Sequence, residues 1–294
     1  IDYDPSPILV LQPTLELAQT FSKDRLAPML RDTPALKGKV KDARSRDSGN
    51  TILHKTFPGG HITMVGANSA AGLASRPIKV VLMDEVDRYP ASAGTEGDPI
   101  KLAEKRTTTF WNRKKIKVST PTIKGRSPIE KEFLTSSMEE WNVPCPCCGK
   151  YQSYEWGRIH FSDVTMECKF CLEHISERDW KSNPGKWVAA KENIKKRGFH
   201  LNELASPWKH WEEIIEDFKA ADRDRKQGDI EKFKTFINTA LGEPWEERGE
   251  AADDNVILSR RERYNADLPD GVLLVTAGVD VQDDRFEVEI TGWG

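Results

Sequence analysis

No stretch of this 294-residue sequence comes near the roughly 18–20 consecutive apolar residues that a membrane-spanning helix needs. No charged-then-apolar pattern at its start suggests a signal peptide. No internal repeat or low-complexity tract is visible. Cysteine is scarce, at five residues, and with no secretion signal a disulfide framework is disfavoured. The net charge of −3 excludes a uniformly basic coat, though not a basic patch. Nowhere does G-x-x-x-x-G-K-[ST], the phosphate-cradling loop, occur: Gly59-Gly60 and Gly66 lack a following Lys-Ser or Lys-Thr. What is present argues for a folded, charge-rich protein. Nine Trp and eleven Phe provide material for a core, 31% of residues are charged, and mean hydropathy is −0.61. The length suggests about two domains. The chain begins at Ile1 without Met and stops at Gly294 just after an alternating apolar run, so the sequence reads as a piece of a longer protein.

Charge is segregated. Residues 101–131 hold ten Lys or Arg against two Glu, and residues 212–254 hold fourteen Asp or Glu against seven Lys or Arg. A smaller basic run comprises Lys37, Lys39, Lys41, Arg44 and Arg46, opposed only by Asp42. A solvated face is the plain explanation for each run taken alone. Residues 8–11, 61–65, 79–83 and 115–119 read as strands, and 15–30, 99–111 and 130–141 as helices. Short apolar strands alternating with helices indicate an α/β fold with a largely parallel sheet covered on both faces. Ligands sit at the C-terminal ends of such strands, which directs attention to the residues after Leu11, Met83 and Val118.

Val80-Val81-Leu82-Met83-Asp84-Glu85 is a buried-type strand ending in two carboxylates. Such an Asp can hold Mg²⁺ against nucleotide phosphates, and the following Glu can polarise an attacking water. An acidic turn closing a strand is the alternative. Ser119-Thr120-Pro121-Thr122 offers hydroxyls at the next strand end, where loss of a γ-phosphate could be sensed; a simple strand-ending turn is again the alternative.

The strongest spacing signal lies further on. Cys145-Pro-Cys-Cys148-Gly149 and Cys168-Lys-Phe-Cys171 are two C-x2-C pairs with 19 residues between them, the spacing of a zinc ribbon. Four thiolates leave no open coordination position, so a zinc ion here is structural. Gly149 suits a tight first turn, Leu172 makes the second less ideal, and Cys147 is the odd cysteine. His160 and His174 lie nearby, each more simply read as a surface or core histidine.

Residues 208–226 and 233–242 read as helices, the second closed by Gly242, and a further helix is expected over 258–264. Val272 to Val279, the acid Asp280 with Asp283 and Asp284, and alternating Phe286, Val288 and Ile290 read as a hairpin. A carboxylate at such a strand end suits a two-metal nuclease, and three Asp in a turn are also ordinary hairpin chemistry.

Taken in order, residues 8–18, 80–90, 115–122, the cysteine pairs, Asn238-Thr239-x-Leu241-Gly242-x-x-Trp245 and Gly278-x-Asp280 resemble the large subunit of a tailed-phage terminase of the lambda-like class. The resemblance spans nearly the whole chain. It implies a P-loop NTPase-like ATPase that pumps DNA into a procapsid, coupled to an RNase H-like nuclease that cuts concatemers. It implies Asp84 as the Mg²⁺ carboxylate and Glu85 as catalytic base. Ser119, Thr120 and Pro121 fall in the coupling motif, and Asp280 becomes the first nuclease acid. Arg76, eight residues before Asp84, lies where related motors carry a phosphate-contacting or trans-acting arginine. The implied parts are 1–143, a motor domain lacking the P-loop; 144–173, a zinc-ribbon insertion; 174–268, the rest of the ATPase and a helical linker; and 269–294, the start of the nuclease domain.

Implied cofactors are ATP with Mg²⁺, structural Zn²⁺, and Mg²⁺ or Mn²⁺ for the nuclease. Implied partners are double-stranded DNA, the terminase small subunit, the portal protein and further copies of the chain on that portal, in the host cytoplasm and without a membrane. Arg113, Lys114, Lys115 and Lys117 are the candidate DNA contacts, because translocation needs sequence-blind phosphate binding. Without the P-loop and the later nuclease acids, these 294 residues alone are expected neither to turn over ATP nor to cut DNA. Two other readings remain: a helicase-like translocase, for which no Q-x-x-G-R-x-x-R-type segment is present, and a non-catalytic zinc-ribbon module binding DNA or protein.

Overall fold

Ile8-Leu9-Val10-Leu11 has no polar residue on either face, so it forms a stable strand only with both faces covered. It occupies β1 (Pro7–Gln12) in the interior of a five-stranded sheet. The remaining strands of this sheet are β2 (His54–Phe57), β3 (Gly60–Gly66), β4 (Val80–Asp84) and β5 (Lys114–Val118). Their order is β2-β3-β1-β4-β5; β1 runs parallel to β3 and β4, β4 runs parallel to β5, and only β2 is antiparallel. The computed structural model describes residues 1–40, 49–73, 76–247, 268–281 and 286–294. Among them the chain forms two compact units, 1–247 and 248–294. Lys41, Asp42, Arg44 and Arg46, the expected helix 258–264, and Asp283 and Asp284 lie outside the described residues.

Strand alternation divides the core. Leu9, Leu11, Val81 and Met83 face one side with Leu73, Ile100 and Ala103, from α3 (Ala70–Leu73) and α4 (Pro99–Lys105). Ile8 and Val10 face the other side with Ala18 of α1 (Leu15–Phe21), Leu26 and Met64. The expected helix 15–30 is α1, a π-helical turn over Ser22–Leu26 and α2 (Ala27–Asp32), beginning at the Thr14 cap. The expected helix 99–111 ends earlier, at Lys105. Both α4 and α5 (Pro128–Leu134) start with Pro in the first turn and a capping side chain, Asp98 and Ser127 respectively.

The single helix read over 130–141 is not what forms. The α5 helix ends at Leu134, Met138 takes positive φ (50°), and Glu139–Pro144 becomes β6. The override is tertiary: buried Glu139 accepts from Arg197 Nε at 2.7 Å and Nη2 at 2.6 Å and from Ser137 Oγ at 2.8 Å. Around β6 lie β7 (Tyr151–Ser153), β11 (Lys186–Ala189) and β12 (Phe199–His200), while β8 (Ile159–His160), β9 (Thr165–Glu167) and β10 (His174–Ser176) form a separate three-stranded sheet.

These small sheets share one core with the later helices. Val143, Cys145, Met166 and Cys168 belong to the same buried cluster as Trp180 of α6 (Glu177–Lys181), Trp211 and Ile214 of α7 (Trp211–Lys226), and Phe236 of α8 (Glu231–Thr239). Trp180 Nε1 donates to the Met166 carbonyl and Trp211 Nε1 to that of Leu204, so neither buried indole is left unpaired. In the second unit, β13 (Leu274–Val281) pairs antiparallel with β14 (Phe286–Trp293). No helix among the described residues is long and apolar enough to cross a membrane.

Candidate functional site

Because β1, β4 and β5 are adjacent and parallel, their C-terminal ends converge. Gln12 ends β1, and its Nε2 donates to Asp84 Oδ2 at the end of β4, 3.0 Å away. Glu85 follows in the left-handed region (φ 54°, ψ 50°), a conformation costing a non-glycine residue on the order of 1–3 kcal/mol. Burial and then the neighbouring Asp84 charge push the Glu85 carboxyl above the usual range. Tyr89 donates to the Leu11 carbonyl at 3.0 Å, and burial with the Asp84 charge raises its hydroxyl far above the ordinary value.

Asp87, which the sequence reading passed over, ties this corner together. Its Oδ2 accepts from Thr122 N at 3.0 Å and Thr122 Oγ1 at 2.9 Å, and its Oδ1 from Ile129 N at 2.8 Å. Its own amide donates to Ser119 Oγ at 3.2 Å. The turn after β4 is thereby fastened both to the Ser119–Thr122 segment and to the first turn of α5. The same segment meets the end of the helical part: Trp245 N donates to Thr122 O at 2.7 Å, Lys124 N to Trp245 O at 2.9 Å, and Ile123 bridges Trp245 in parallel. Pro121 is buried in this connection. Only an Asp three residues after a strand-ending Asp hinted at this arrangement, a weak signal beside the carboxylates themselves.

Arg76 is not brought to this corner. It precedes β4, whereas Asp84 ends it, and its Nη1 points to Thr63 Oγ1 of β3 at 3.5 Å. Of the basic candidates, Arg113, Lys114 and Lys115 are exposed. Lys117 instead sits between Glu104 (2.7 Å) and Glu132 (2.6 Å), with Lys115 also 3.4 Å from Glu104. Burial works against every charge in this group. The ion pairs prevail, holding both carboxyls below and the ammonium above its usual range. Trp111, 93% exposed beside Arg113, is an aromatic that the sequence reading did not single out.

The cysteine turns converge as their spacing requires. Cys145 Sγ lies 3.7 Å from Cys171 Sγ, and Cys148 Sγ lies 3.8 Å from Cys168 Sγ. All four ligand atoms fall within 4.8 Å of one another. A tetrahedral S₄ site with Zn–S of about 2.3 Å has edges of about 3.8 Å, so this donor set fits zinc. The two turns match bond for bond: Gly149 N donates to Cys145 O (2.8 Å) and Leu172 N to Cys168 O (2.9 Å). Both residues take positive φ, 73° and 62°, so Leu172 adopts the conformation that Gly149 adopts freely. Burial opposes ionisation of Cys168, but the backbone N–H groups of Cys171 and Phe170 outweigh it and hold the thiol at about 7. Cys147 is exposed and outside the cluster.

In the second unit Asp280 stands directly opposite Glu287, and Gly278 opposite Glu289. With period-2 alternation, Asp280, Glu287 and Glu289 share one face, and Val279, Val281, Phe286, Val288 and Ile290 share the other.

Comparison with known proteins identifies the family. The family model described as "Phage terminase large subunit gpA, ATPase domain" matches residues 1–187, and that described as "Terminase large subunit gpA, endonuclease domain" matches residues 196–294. The chain is 31% identical over 328 residues to the "Terminase, large subunit" of Enterobacteria phage P21, covering 100% of this chain and 50% of that protein. It is 29% identical over 332 residues to the "Terminase, large subunit" of Escherichia phage lambda, with the same coverage. The chain thus spans about half the length of the curated relatives it matches. No solved structure matches it. The chain belongs to the gpA family of phage terminase large subunits.

Proposed function

We propose that the whole protein is a viral DNA-packaging motor and nuclease: ATP hydrolysis drives double-stranded DNA into a procapsid, and a metal-dependent endonuclease cuts concatemeric DNA. One observation carries the motor half of this reading. Gln12, Asp84, Glu85 and, through Asp87, Ser119–Thr122 meet at the ends of three adjacent parallel strands. The P-loop NTPase-like reading of the sheet, the zinc-ribbon reading of the cysteine turns and the RNase H-like reading of the hairpin rest on the same family resemblance, as do the part boundaries at 143, 173 and 268.

Crowding of Asp84 and Glu85 in a half-buried corner is what a divalent cation relieves, so these residues suit Mg²⁺ with ATP. When bound, Mg²⁺ neutralises charge developing on the phosphates. Asp84 would hold the ion, oriented by the Gln12 amide. Glu85 would accept a proton from the attacking water, and its raised carboxyl makes it a stronger base than an ordinary glutamate. A change at the phosphates would pass through Asp87 to Ser119, Thr120, Pro121 and Thr122, and from Thr122 to Trp245.

Cys145, Cys148, Cys168 and Cys171 would hold structural Zn²⁺. Arg113, Lys114 and Lys115, with Trp111, form the face we assign to DNA phosphates, and Lys117 supports that face from within. Asp280, with Glu287 facing it, would hold Mg²⁺ or Mn²⁺ for the nuclease. The small subunit, the portal protein and further copies of the chain on the portal, in the host cytoplasm, complete the proposal. We assign Arg76 a part in phosphate contact only through a neighbouring subunit, since it lies away from Asp84.

In the whole protein, Glu85→Gln is expected to slow ATP turnover by about 10²–10⁴-fold while ATP still binds. Turnover within about threefold of the parent would remove Glu85 as the base. Packaging that continues unchanged while ATP turnover falls in the same variant would refute the motor reading.

A further inference from the structure

Strand alternation in the β8–β9–β10 sheet turns Ile159, Met166 and Ile175 toward the core. It leaves His160, Thr165, Glu167 and His174 on the opposite face. Glu167 and His174 are direct cross-strand partners, and His160 is diagonal to Glu167. Glu167 Oε2 lies 3.9 Å from the Nε2 of both imidazoles, whose ring centroids are 3.8 Å apart. One ligand atom from each of the three residues falls within 4.8 Å of the others. We propose that this face is a second metal site, distinct from the cysteine cluster, which takes a borderline divalent transition ion such as Zn²⁺, Ni²⁺ or Co²⁺ through His160, Glu167 and His174.

Imidazole nitrogen with one carboxylate is the donor set such ions prefer. Donors about 2.1 Å from an ion stand about 3.0–3.4 Å apart, so each side chain closes by about 1 Å or less for most of these gaps. Surroundings favour it. Arg158 Nη1 holds the other carboxylate oxygen, Oε1, at 2.8 Å, leaving Oε2 toward the histidines. Asp163 Oδ2 faces the remaining ring nitrogen of His174, Nδ1, at 3.9 Å, where a carboxylate orients a ligating imidazole. Thr165 Oγ1, on the same face, is buried without a hydrogen-bond partner among the described residues; a water on the ion would be within its chemistry. Three protein ligands leave coordination open, and the ion would clip β8 to β10 across β9.

The test uses the untagged 294-residue chain, isolated with zinc and stripped of loose metal on a chelating resin. It is titrated with Ni²⁺ by calorimetry and with Co²⁺ by absorbance. The expected result is one further equivalent, with weak visible d–d bands and no thiolate-to-cobalt charge transfer. His160→Gln and His174→Gln each abolish that equivalent while zinc content and circular dichroism stay as in the parent. If either variant loses its zinc, Glu167→Gln supplies the same readout. His54→Gln is the control, because His54 and His61 form the other close histidine pair, 5.2 Å apart. No further equivalent in the parent, one that survives the His160, His174 and Glu167 substitutions, or one lost in His54→Gln overturns the proposal.

Discussion

Asp87 is the sharpest place to test how the site is held together. Its carboxylate accepts three hydrogen bonds, from Thr122 N, Thr122 Oγ1 and Ile129 N, at 3.0, 2.9 and 2.8 Å. Asp87→Asn keeps the shape but offers a single acceptor oxygen. If that oxygen stays on Ile129 N, the new amide group opposes the Thr122 N–H, donor against donor. The Thr122 hydroxyl can rotate to accept, so one bond to a charged acceptor is lost outright and the other two become neutral. A hydrogen bond to a charged group contributes about 1.5–3 kcal/mol, which puts the substitution at about 2–3 kcal/mol. Asp87→Ala removes all three bonds and leaves two backbone N–H groups in a half-buried corner, about 3–5 kcal/mol. Urea unfolding followed by tryptophan fluorescence reads the difference. With a slope of about 3 kcal/mol per molar, the asparagine variant moves the midpoint down by about 1 M. Shifts corresponding to less than about 0.5 kcal/mol in both variants would mean that Asp87 does not fasten Ser119–Thr122 to the end of β4, and the coupling route would fall with it.

After loose metal is stripped on a chelating resin, zinc analysis of the chain should give one ion, lost in Cys148→Ser and kept in Cys147→Ser; the reverse result would reassign the ligand set. Leu172→Gly should stabilise the zinc-bound chain by about 1 kcal/mol in thermal unfolding, since Leu172 is 65% exposed and held at φ 62°. A loss of stability instead would show that its side chain packs. Lys117→Met leaves Glu104 and Glu132 facing one another and should cost about 3 kcal/mol at neutral pH, the low end for a buried pair because the triad keeps some exposure. Both carboxyls are held below their usual range in the parent, so their contribution is full above about pH 4.3 and fades as pH falls through the depressed values. Lys117 is raised, so its share persists to about pH 10.4 and is lost only above that. The parent and variant should therefore converge in acid, and a gap unchanged at pH 3 would exclude the ion pairs as its source.

Much of the site was legible because its signals are local. Four apolar residues before Asp84-Glu85 mark a buried strand and its end. The spacing of Cys145, Cys148, Cys168 and Cys171 marks two turns that one ion can join, and the structure brings those sulfurs to tetrahedral separations. The strand at 139–144 was not legible. Glu139-Glu140-Trp141 suits a helix locally, and what makes it a strand is Arg197, 58 residues away. Nor could charge counting separate Lys117 from Lys114 and Lys115, because its two carboxylate partners come from α4 and α5.

The sequence by itself determined the α/β pattern, the carboxylate pair, the spacing of the cysteine pairs and the family, because periodicity and short motifs are read within a few residues. Only the tertiary structure decided which basic residues face outward and that Asp87 binds the Ser119–Thr122 segment. It alone set His160, Glu167 and His174 side by side. Each of these depends on which distant backbone supplies the partner, and strand order and register fix that, not the order of residues along the chain.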